Sequence, residues 1–589
     1  MIIFYDRLTP AQKADVISGA GSIDLTAELQ DAVNDADGDE VLLPAGRIRL
    51  DGTVQRVLTP SATYSQYRTG MKLIGPGSGV CVIASHVNTG YAFKLDTVPS
   101  TNEASPDRFL FQRDIVFRGL RIDGGASTGA SAVYLQRCYN VLFDDCYIES
   151  FDLDGIYVDV PTNDKDSSNN VSLYRSRIFG CGRWAINVNP ATGSNDLSFL
   201  TVRESSFTAN GTSAVTTISG ISQAADAEIT TSADHGLAAG QKIYIFGLAP
   251  PPGVVTATRM DSLNYQQLVV KNVTATNKFT IENDTSAFDT YRGGGAVMPR
   301  TPPSGTIKWR GQMGHFQDSG ITESQNVGIF LPDGPSGTAF RTMLTNFTIE
   351  NTRGVSLLVH GGDGLIGKGM DLRVNSAAFP SGTGRCYAHV LLDSSVSTVT
   401  GVELEGATIK ADSGSTPFRA FEAVSAANLG DLKISGTRWQ DYDYTGQTRF
   451  GGGLYGALRV RIEDQNAVQI EPSAFNRKTL TTANPSYVPQ VTLYDTHSVV
   501  LGTDALGSAS GTLTIQTPDQ GLLPGTTSNG RRLLLSITNV SGNSLNLALG
   551  TFLEATGAPA TIANGTRKVV EWMWDSSVGW VVVRPWASF

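Results

Sequence analysis

Charge is scarce in this chain. Only 17% of its 589 residues are Asp, Glu, Lys or Arg, so long solvated helices and coiled coils, which draw on those residues, are not expected. The formal net charge is −10 and no basic block stands out. A protein that tracks phosphates needs a cationic face to displace counterions, so nucleic acid is not an expected ligand. Cysteine is sparse as well. Cys81, Cys138, Cys146, Cys181 and Cys386 are odd in number and lack CxxC spacing, which argues against both a disulfide framework and a zinc cluster and leaves buried, reduced thiols. No stretch approaches the roughly 18 apolar residues that span a bilayer, and the first twelve residues lack the apolar core of a signal peptide. Membrane insertion is therefore not expected, and export would use another route.

Turn formers, in contrast, are plentiful, with 63 glycines and 25 prolines. Between them the sequence repeats loosely. VFRGLRID (Val116 to Asp123), LFDDCYIE (Leu142 to Glu149), LYRSRIF (Leu173 to Phe179), VRESSFT (Val202 to Thr208), FQDSGIT (Phe316 to Thr322) and LTNFTIE (Leu344 to Glu350) align as short alternating strands. Most are followed by a Gly-containing turn and a second strand, such as GIYV (Gly155 to Val158), AINV (Ala185 to Val188), GIFL (Gly328 to Leu331) and VSLLV (Val355 to Val359). Where nothing is inserted the period is about 26 to 31 residues, too short for propeller blades and without the leucine spacing of leucine-rich repeats. It suits a parallel β-helix, whose coils bury their apolar faces only by stacking. Ile122, Ile148, Ile178, Phe207, Ile321 and Ile349 form one inward column, and their immediate neighbours point outward.

The expected fold is therefore all-β: a right-handed parallel β-helix with a small inserted β domain and a C-terminal β-sandwich. An N-terminal cap with a first helix occupies residues 1–50, and the β-helix runs over 51–214 and 300–477. The inserted domain spans 215–299. The C-terminal module, 478–589, reads as antiparallel strand pairs joined by polar turns, with Trp572, Trp574, Trp580 and Trp586 alternating with small and branched residues as in packing. In the cap, Leu25, Leu29 and Val33 share one helical face ahead of a strand bounded by Pro-Ala-Gly, and such a unit would cover the open end of the solenoid.

The segment IDLTAELQDAVNDADGDEVLLPAGRIRL (Ile23 to Leu50) resembles the "TAALQAAIDA…VYLPPGTY" start of pectate-lyase-like β-helix proteins. LTPAQKADVISGAGSIDLT (Leu8 to Thr26) is similar to the version in bacteriophage tailspikes and capsular polysaccharide depolymerases. The likeness covers the first 50 or so residues well and the repeats by pattern, and the insertion also resembles a small β domain of phage tail proteins. It implies a virion-tail protein acting outside the cell on bacterial surface polysaccharide, capsule or lipopolysaccharide, as a homotrimer without a cofactor. Tailspikes commonly carry a head-binding domain before this segment, whereas here the chain starts almost at it. Attachment through a separate phage tail or adaptor protein is the corresponding expectation.

Projection of the repeats outward gives Asp145, Arg175, Glu204, Asp318 and Asn346 in one column. Tyr147, Arg177, Ser206, Gly320 and Thr348 form a second, and Asp123, Glu149, Phe179, Thr208, Thr322 and Glu350 a third. Coils stack at about 4.8 Å. Glycoside hydrolysis needs two carboxyl groups about 5–5.5 Å apart for retention or about 6.5–9.5 Å for inversion. If the insertion removes no coil, Glu204 and Asp318 fall one coil apart and Asp145 and Glu204 two, with the insertion as a wall and Arg175 holding Asp145 ionised. The alternative is a solvated charge ladder. A second candidate is Asp152-Leu153-Asp154-Gly155-Ile156, similar to the Asn-Thr-Asp-Gly signature of polygalacturonases with Asp152 replacing the Asn. His360-Gly361-Gly362 matches that family's Gly-His-Gly only in part, and the competing reading of the turn is an acidic turn with Gly at positive φ. Trp184, Trp309, Tyr147 and Tyr157 are candidate sugar platforms, each with packing as the alternative. Asn163 to Asn170 offers hard oxygens without calcium-loop spacing and is expected to be a polar turn rather than a metal site. An endo-glycosidase is the leading expectation. A polysaccharide lyase, with Arg175, Arg177 and His315 supplying base and cation, and a non-catalytic glycan-binding fibre or adhesin are the alternatives.

Overall fold

The computed structural model describes residues 1–58, 67–97, 111–160, 168–190, 197–212, 215–249, 259–333, 341–374, 386–410, 418–425 and 428–440. Beyond these it describes the strands at 447–450, 459–463, 486–487, 496–501, 512–515, 532–539, 545–549, 561–562, 567–575 and 579–588, for which backbone alone is described. Two compact units result, Met1–Leu432 with Thr437–Phe450, and Lys433–Gly436 with Gly451–Phe589.

The first unit is a parallel β-helix. Each repeat contributes two consecutive strands to one long parallel sheet and a third to an 11-stranded parallel sheet. The inward column is continuous: Ile122 pairs with Ile148, Ile148 with Ile178, Ile178 with Phe207, Phe207 with Ile321 and Ile321 with Ile349, and all six side chains are buried. Phe207 and Ile321 are register partners although 113 residues lie between them in sequence, so the insertion removes no coil.

What bends each coil between its two strands is a single residue in the left-handed region. Asp145, Arg175, Glu204, Asp318 and Asn346 have φ of 51°, 47°, 50°, 48° and 48°, and Gly119, Gly369, Gly406 and Gly436 show the same conformation. Gly, Asn and Asp adopt it readily, while other side chains are strained by Cβ crowding. The next residue is often a serine. The Ser176, Ser205 and Ser319 hydroxyls accept from the backbone N–H of Cys146, Ser176 and Ser205 at 3.2, 3.1 and 3.0 Å, a ladder that satisfies buried donors at the bend.

At the N-terminus two helices, Pro10–Ser18 and Thr26–Ala36, precede the first coil. Thr9 and Gln12 close a capping box and Pro10 occupies the first turn. Leu25, Leu29 and Val33 are buried as expected. Gly46 must be glycine, because a Cβ there would lie 2.2 Å from the Val16 carbonyl oxygen.

The insertion is a closed six-stranded barrel of Thr216–Ile221, Glu228–Thr231, Lys242–Leu248, Gln267–Ala275, Lys278–Ile281 and Gly294–Pro299. Its interior holds Ile229, Ile243, Ile245, Phe279 and Ile281. A second cluster joins Tyr244, Phe246, Tyr265 and Met298 of the barrel to Trp184, Phe330, Leu358, Tyr387 and Leu391 of the β-helix. The barrel thus lies on the outer face of the 11-stranded sheet.

The second unit contains two four-stranded sheets. The expected antiparallel pairing holds for Arg532–Asn539, Arg567–Asp575 and Gly579–Ser588. However, Thr496–Leu501 pairs in parallel with Arg532–Asn539, and Thr512–Ile515 in parallel with Leu545–Leu549. The module is mixed because its strands alternate between the two sheets before the final hairpin. The side chains of Trp572, Trp574, Trp580 and Trp586 lie outside the described residues.

Candidate functional site

Glu204 and Asp318 occupy adjacent coils. The Glu204 N–H donates to the Gln317 carbonyl at 3.2 Å and the Asp318 N–H to that of Thr345 at 3.0 Å. Both side chains are exposed, and Asp318 accepts from Asn346 Nδ2 at 3.0 Å. Arg175 stands one coil before Glu204, but it does not hold Asp145. Its guanidinium donates to Asp144 Oδ1 at 2.5 Å, while Asp145 accepts from the Ser78 hydroxyl at 2.9 Å. The left-handed bend turns Asp145 away from the strand row in which Asp144 lies, and sequence alignment alone does not show that. The barrel's packing contacts go to the 11-stranded sheet, not to this bend, so the expected wall over Glu204 and Asp318 is not formed by those contacts.

The second outward column contains Tyr147, with the Arg121 and Arg177 guanidiniums 5.2 and 5.7 Å from its ring centroid. Arg121 also pairs with Glu149, which is buried, so Glu149 is committed within the protein rather than open to a ligand. Arg177 donates to the Ser206 hydroxyl at 3.3 Å. Trp184 and Trp309 are 2% and 1% exposed, which corrects their reading as sugar platforms. Trp184 stacks on Phe330 at 6.2 Å beneath the barrel, and Trp309 fills the space left by Gly311 and Gly314.

The acidic turn divides its two carboxylates between different tasks. Asp152 is exposed and accepts the Gly129 N–H at 2.8 Å. Asp154 is 0% exposed. Arg183 grips it from two nitrogens, Nε to Oδ1 at 2.9 Å and Nη2 to Oδ2, and Asn187 Nδ2 donates to it at 3.2 Å. Burial pushes its carboxyl up, against the opposing pull of Arg183. Gly155 is required by close approach rather than by positive φ, since a Cβ would lie 2.7 Å from the Ala185 carbonyl oxygen.

Asp154 borders a row of side chains on the outer face of the 11-stranded sheet. Register sets Lys94, Tyr134, Tyr157, Asn187, Lys308 and Phe330 side by side on successive strands. Tyr134 lies 4.6 Å from Tyr91 and 5.7 Å from Tyr157, centroid to centroid, and the Arg183 guanidinium sits 5.6 Å from the Tyr157 ring. The Tyr134 hydroxyl donates to Asp159 Oδ2 at 2.9 Å, and Asn189 Nδ2 donates to the Tyr157 hydroxyl at 3.1 Å. Lys308 Nζ donates to Asn189 Oδ1 at 2.7 Å. Burial holds the Lys308 amine down to about 8. Beyond Lys308 the row passes beneath the barrel, where Phe330 is buried. Tyr91 and Tyr157 are partly exposed while Tyr134 is buried, and the two open rings, flanked by amide, carboxylate and cationic groups, form a surface on which sugar CH faces can stack while hydroxyls find polar partners.

A buried polar network fastens the barrel there. The Tyr244 hydroxyl meets His360 Nε2 at 2.9 Å and donates to Asp393. Arg300 bridges Asp393 at 2.8 Å and Asp333 through both Nη atoms, and Gln267 donates to Asp393 at 2.9 Å. Burial first, then the Arg300 charge, holds His360 down to about 3. The His360-Gly361-Gly362 fragment thus belongs to an anchor. Part of the Asn163 to Asn170 loop lies outside the described residues, and no cluster of three or more metal-ligating side chains occurs among the described ones.

Tyr91, Tyr134, Asp159, Arg183, Asn187, Asn189 and Lys308 were not legible as a site in the sequence. GIYV and AINV, aligned as the third strand of successive repeats, already placed Tyr157 beside Asn187. Lys308 follows the insertion, and Tyr91 precedes the first clear repeat.

No protein-family model matches the chain, and no curated protein matches it either. Solved structures similar in chain path include the catalytic unit of a GH87 α-1,3-glucanase from Streptomyces thermodiastaticus (12% identity, 79% of this chain and 68% of that one, TM-score 0.34). PfbA, a surface adhesin of Streptococcus pneumoniae, is 11% identical over 99% of both chains with a TM-score of 0.39. ORF18 of Geobacillus virus E2 is 11% identical over 79% of this chain and 61% of its own, with a TM-score of 0.31. The functional reading rests on this chain's own residues.

Proposed function

We propose that the protein is a depolymerase of bacterial surface polysaccharide, most simply an endo-glycosidase of the phage tailspike kind. The observation that supports it is the outer face of the 11-stranded sheet, where Tyr91, Tyr134 and Tyr157 stack beside Asp159, Asn189 and Lys308. A rigid parallel sheet holds these groups at strand spacing, a geometry suited to an extended chain of sugars. Two carboxylate sets are candidates for the chemistry. Glu204 and Asp318 stand on adjacent coils, about 4.8 Å apart by strand spacing, which supports their reading as a retaining pair. Asp154, with Asp152 beside it, borders the tyrosine row instead.

The experiment is digestion of purified host capsule or lipopolysaccharide followed by analysis of the ends. Hydrolysis releases reducing sugars without ultraviolet absorbance. An unsaturated product would replace the hydrolase with the lyase reading, and an intact polymer that nonetheless binds would leave a glycan-binding adhesin.

The proposal includes threefold association in a virion tail, docked through another tail protein. A solenoid end exposes unpaired strand edges and apolar rims, and side-by-side copies would cover them. Light scattering at micromolar concentration is expected to give three times the chain mass of 62.6 kDa; the mass of a single chain would remove this part of the proposal.

A further inference from the structure

Lys308 is a half-buried cation with no ion pair among the described residues. Its hydrogen-bond partner among the described residues is the neutral Asn189 side chain, at 2.7 Å. Asp154 attracts the amine, and Arg183 and Arg310 oppose that attraction. Asp154 is already gripped by two nitrogens of Arg183, and Arg310 Nη1 donates to the Asp333 carbonyl. Arg300, farther under the barrel, is matched by Asp333 and Asp393. At the other end of the row Lys94 is paired with Asp96 at 3.4 Å, and Asp159, on the Tyr157 strand, accepts from Tyr134 and Gln136. Lys308 is thus the cation of the row without an ion pair among the described residues.

Position adds a second argument. Lys308 pairs in register with Asn187 on one side and Phe330 on the other. Asn187 belongs to the row of groups around Tyr157, and Phe330 is covered by the barrel. Lys308 is therefore the last side chain of the row before the barrel closes over it. A ligand lying along the tyrosines would end, or turn, against this amine. A buried ammonium costs solvation free energy unless an anion or hydrogen-bond acceptors replace the lost water, and here one neutral oxygen is in place.

We infer that Lys308 forms a subsite for a singly charged oxyanion substituent of the bound glycan, a uronate carboxylate or a phosphodiester, so that the substrate class is an acidic polysaccharide. This rests on the reading of the tyrosine row as a glycan surface. Arg183 lies one strand away over Tyr157 and orients the sugar stacked there, while Asn189 accepts from the amine at Oδ1 and donates from Nδ2 to the Tyr157 hydroxyl.

The test is equilibrium binding of the full chain to a panel of purified acidic and neutral bacterial polysaccharides. The acidic polymers are offered untreated, after carboxyl reduction to the neutral sugar, and, where they carry phosphate, after its removal. The expected result is binding to acidic polymers that falls about 10- to 100-fold on loss of the charge, the worth of a charge-assisted hydrogen bond. Loss on carboxyl reduction identifies a uronate and loss on phosphate removal a phosphodiester. Lys308→Met should reproduce the loss with an unchanged melting temperature, and Lys308→Arg should keep most of the affinity. If the bound polymers are neutral, if both treatments leave affinity intact, or if Lys308→Met keeps the preference for acid, the subsite is wrong while the glycan surface stands. If no polymer binds, both readings fall.

Discussion

Replacing Glu204 or Asp318 by its amide is expected to lower turnover on the host polysaccharide by about 10²–10⁴-fold, the usual contribution of a positioned acid, base or nucleophile, with the melting temperature nearly unchanged. Both side chains are exposed, and only the 3.0 Å bond from Asn346 to Asp318 needs to adapt. Glu204→Gly adds a second reading of the same position. Glu204 holds φ of 50° where every other described coil with this bend, except that of Arg175, places Gly, Asn or Asp, a strain of order 1 kcal/mol. Glycine there should raise stability by about that amount while losing as much activity as Glu204→Gln. Asp154→Asn behaves differently. It removes the buried partner of the part-exposed Arg183 and leaves the guanidinium facing an amide, so about 1.5–3 kcal/mol of stability is at risk. Its activity must therefore be measured below its own unfolding transition. If Glu204→Gln and Asp318→Asn keep full activity and folded Asp154→Asn has none, the chemistry lies on the tyrosine face. If all three stay active, it lies at neither place.

Acid should loosen the first unit through its buried histidines. His360 and His389 are buried, and burial holds their imidazoles down to about 3 and about 4. In the unfolded chain a histidine titrates near 6.5. The unfolded state therefore binds more protons between those values, and stability falls as pH drops below about 6.5. At pH 5 each histidine should cost about 2 kcal/mol relative to pH 8. The groups facing His360 are Tyr244, Arg300, Asp393 and Asp333. Asp393 is itself held below the usual carboxylate range, so its own stabilising share is lost only at lower pH. His389 meets the Ser356 hydroxyl at 3.2 Å and the Lys410 carbonyl at 2.9 Å. Urea midpoints at pH 8 and pH 5 measure the loss. His360→Gln and His389→Gln should each shrink it by about 2 kcal/mol, even though each variant is weaker overall, and an unchanged loss in both would show that other groups carry the acid sensitivity.

The inward column was legible because it has a period: one branched or aromatic residue per repeat, always in the same place relative to the next turn. Phe207 and Ile321 could be aligned across the insertion for that reason. The same alignment placed Glu204 beside Asp318. It could not show that Arg175 reaches Asp144 rather than Asp145, because a left-handed bend redirects a side chain without altering the residue pattern. Nor could it tell a buried tryptophan from an exposed one. Trp184 and Trp309 sit at positions where a solenoid alone leaves the outside wet, and the barrel and the Gly311 and Gly314 gaps decide otherwise.

What the sequence determined by itself is the solenoid: repeat length, the inward column, the place of the insertion, and the capping helices with Leu25, Leu29 and Val33 turned inward. These follow from local periodicity, which one chain carries in full. Tertiary structure alone decided which sheet the barrel covers, and with it the burial of Phe330, the Tyr244–His360–Asp393–Arg300 anchor and the isolation of Lys308 at the barrel's edge. Those contacts join parts of the chain far apart in sequence whose partnership is set by the shapes of two folded surfaces, and no period in the sequence records it.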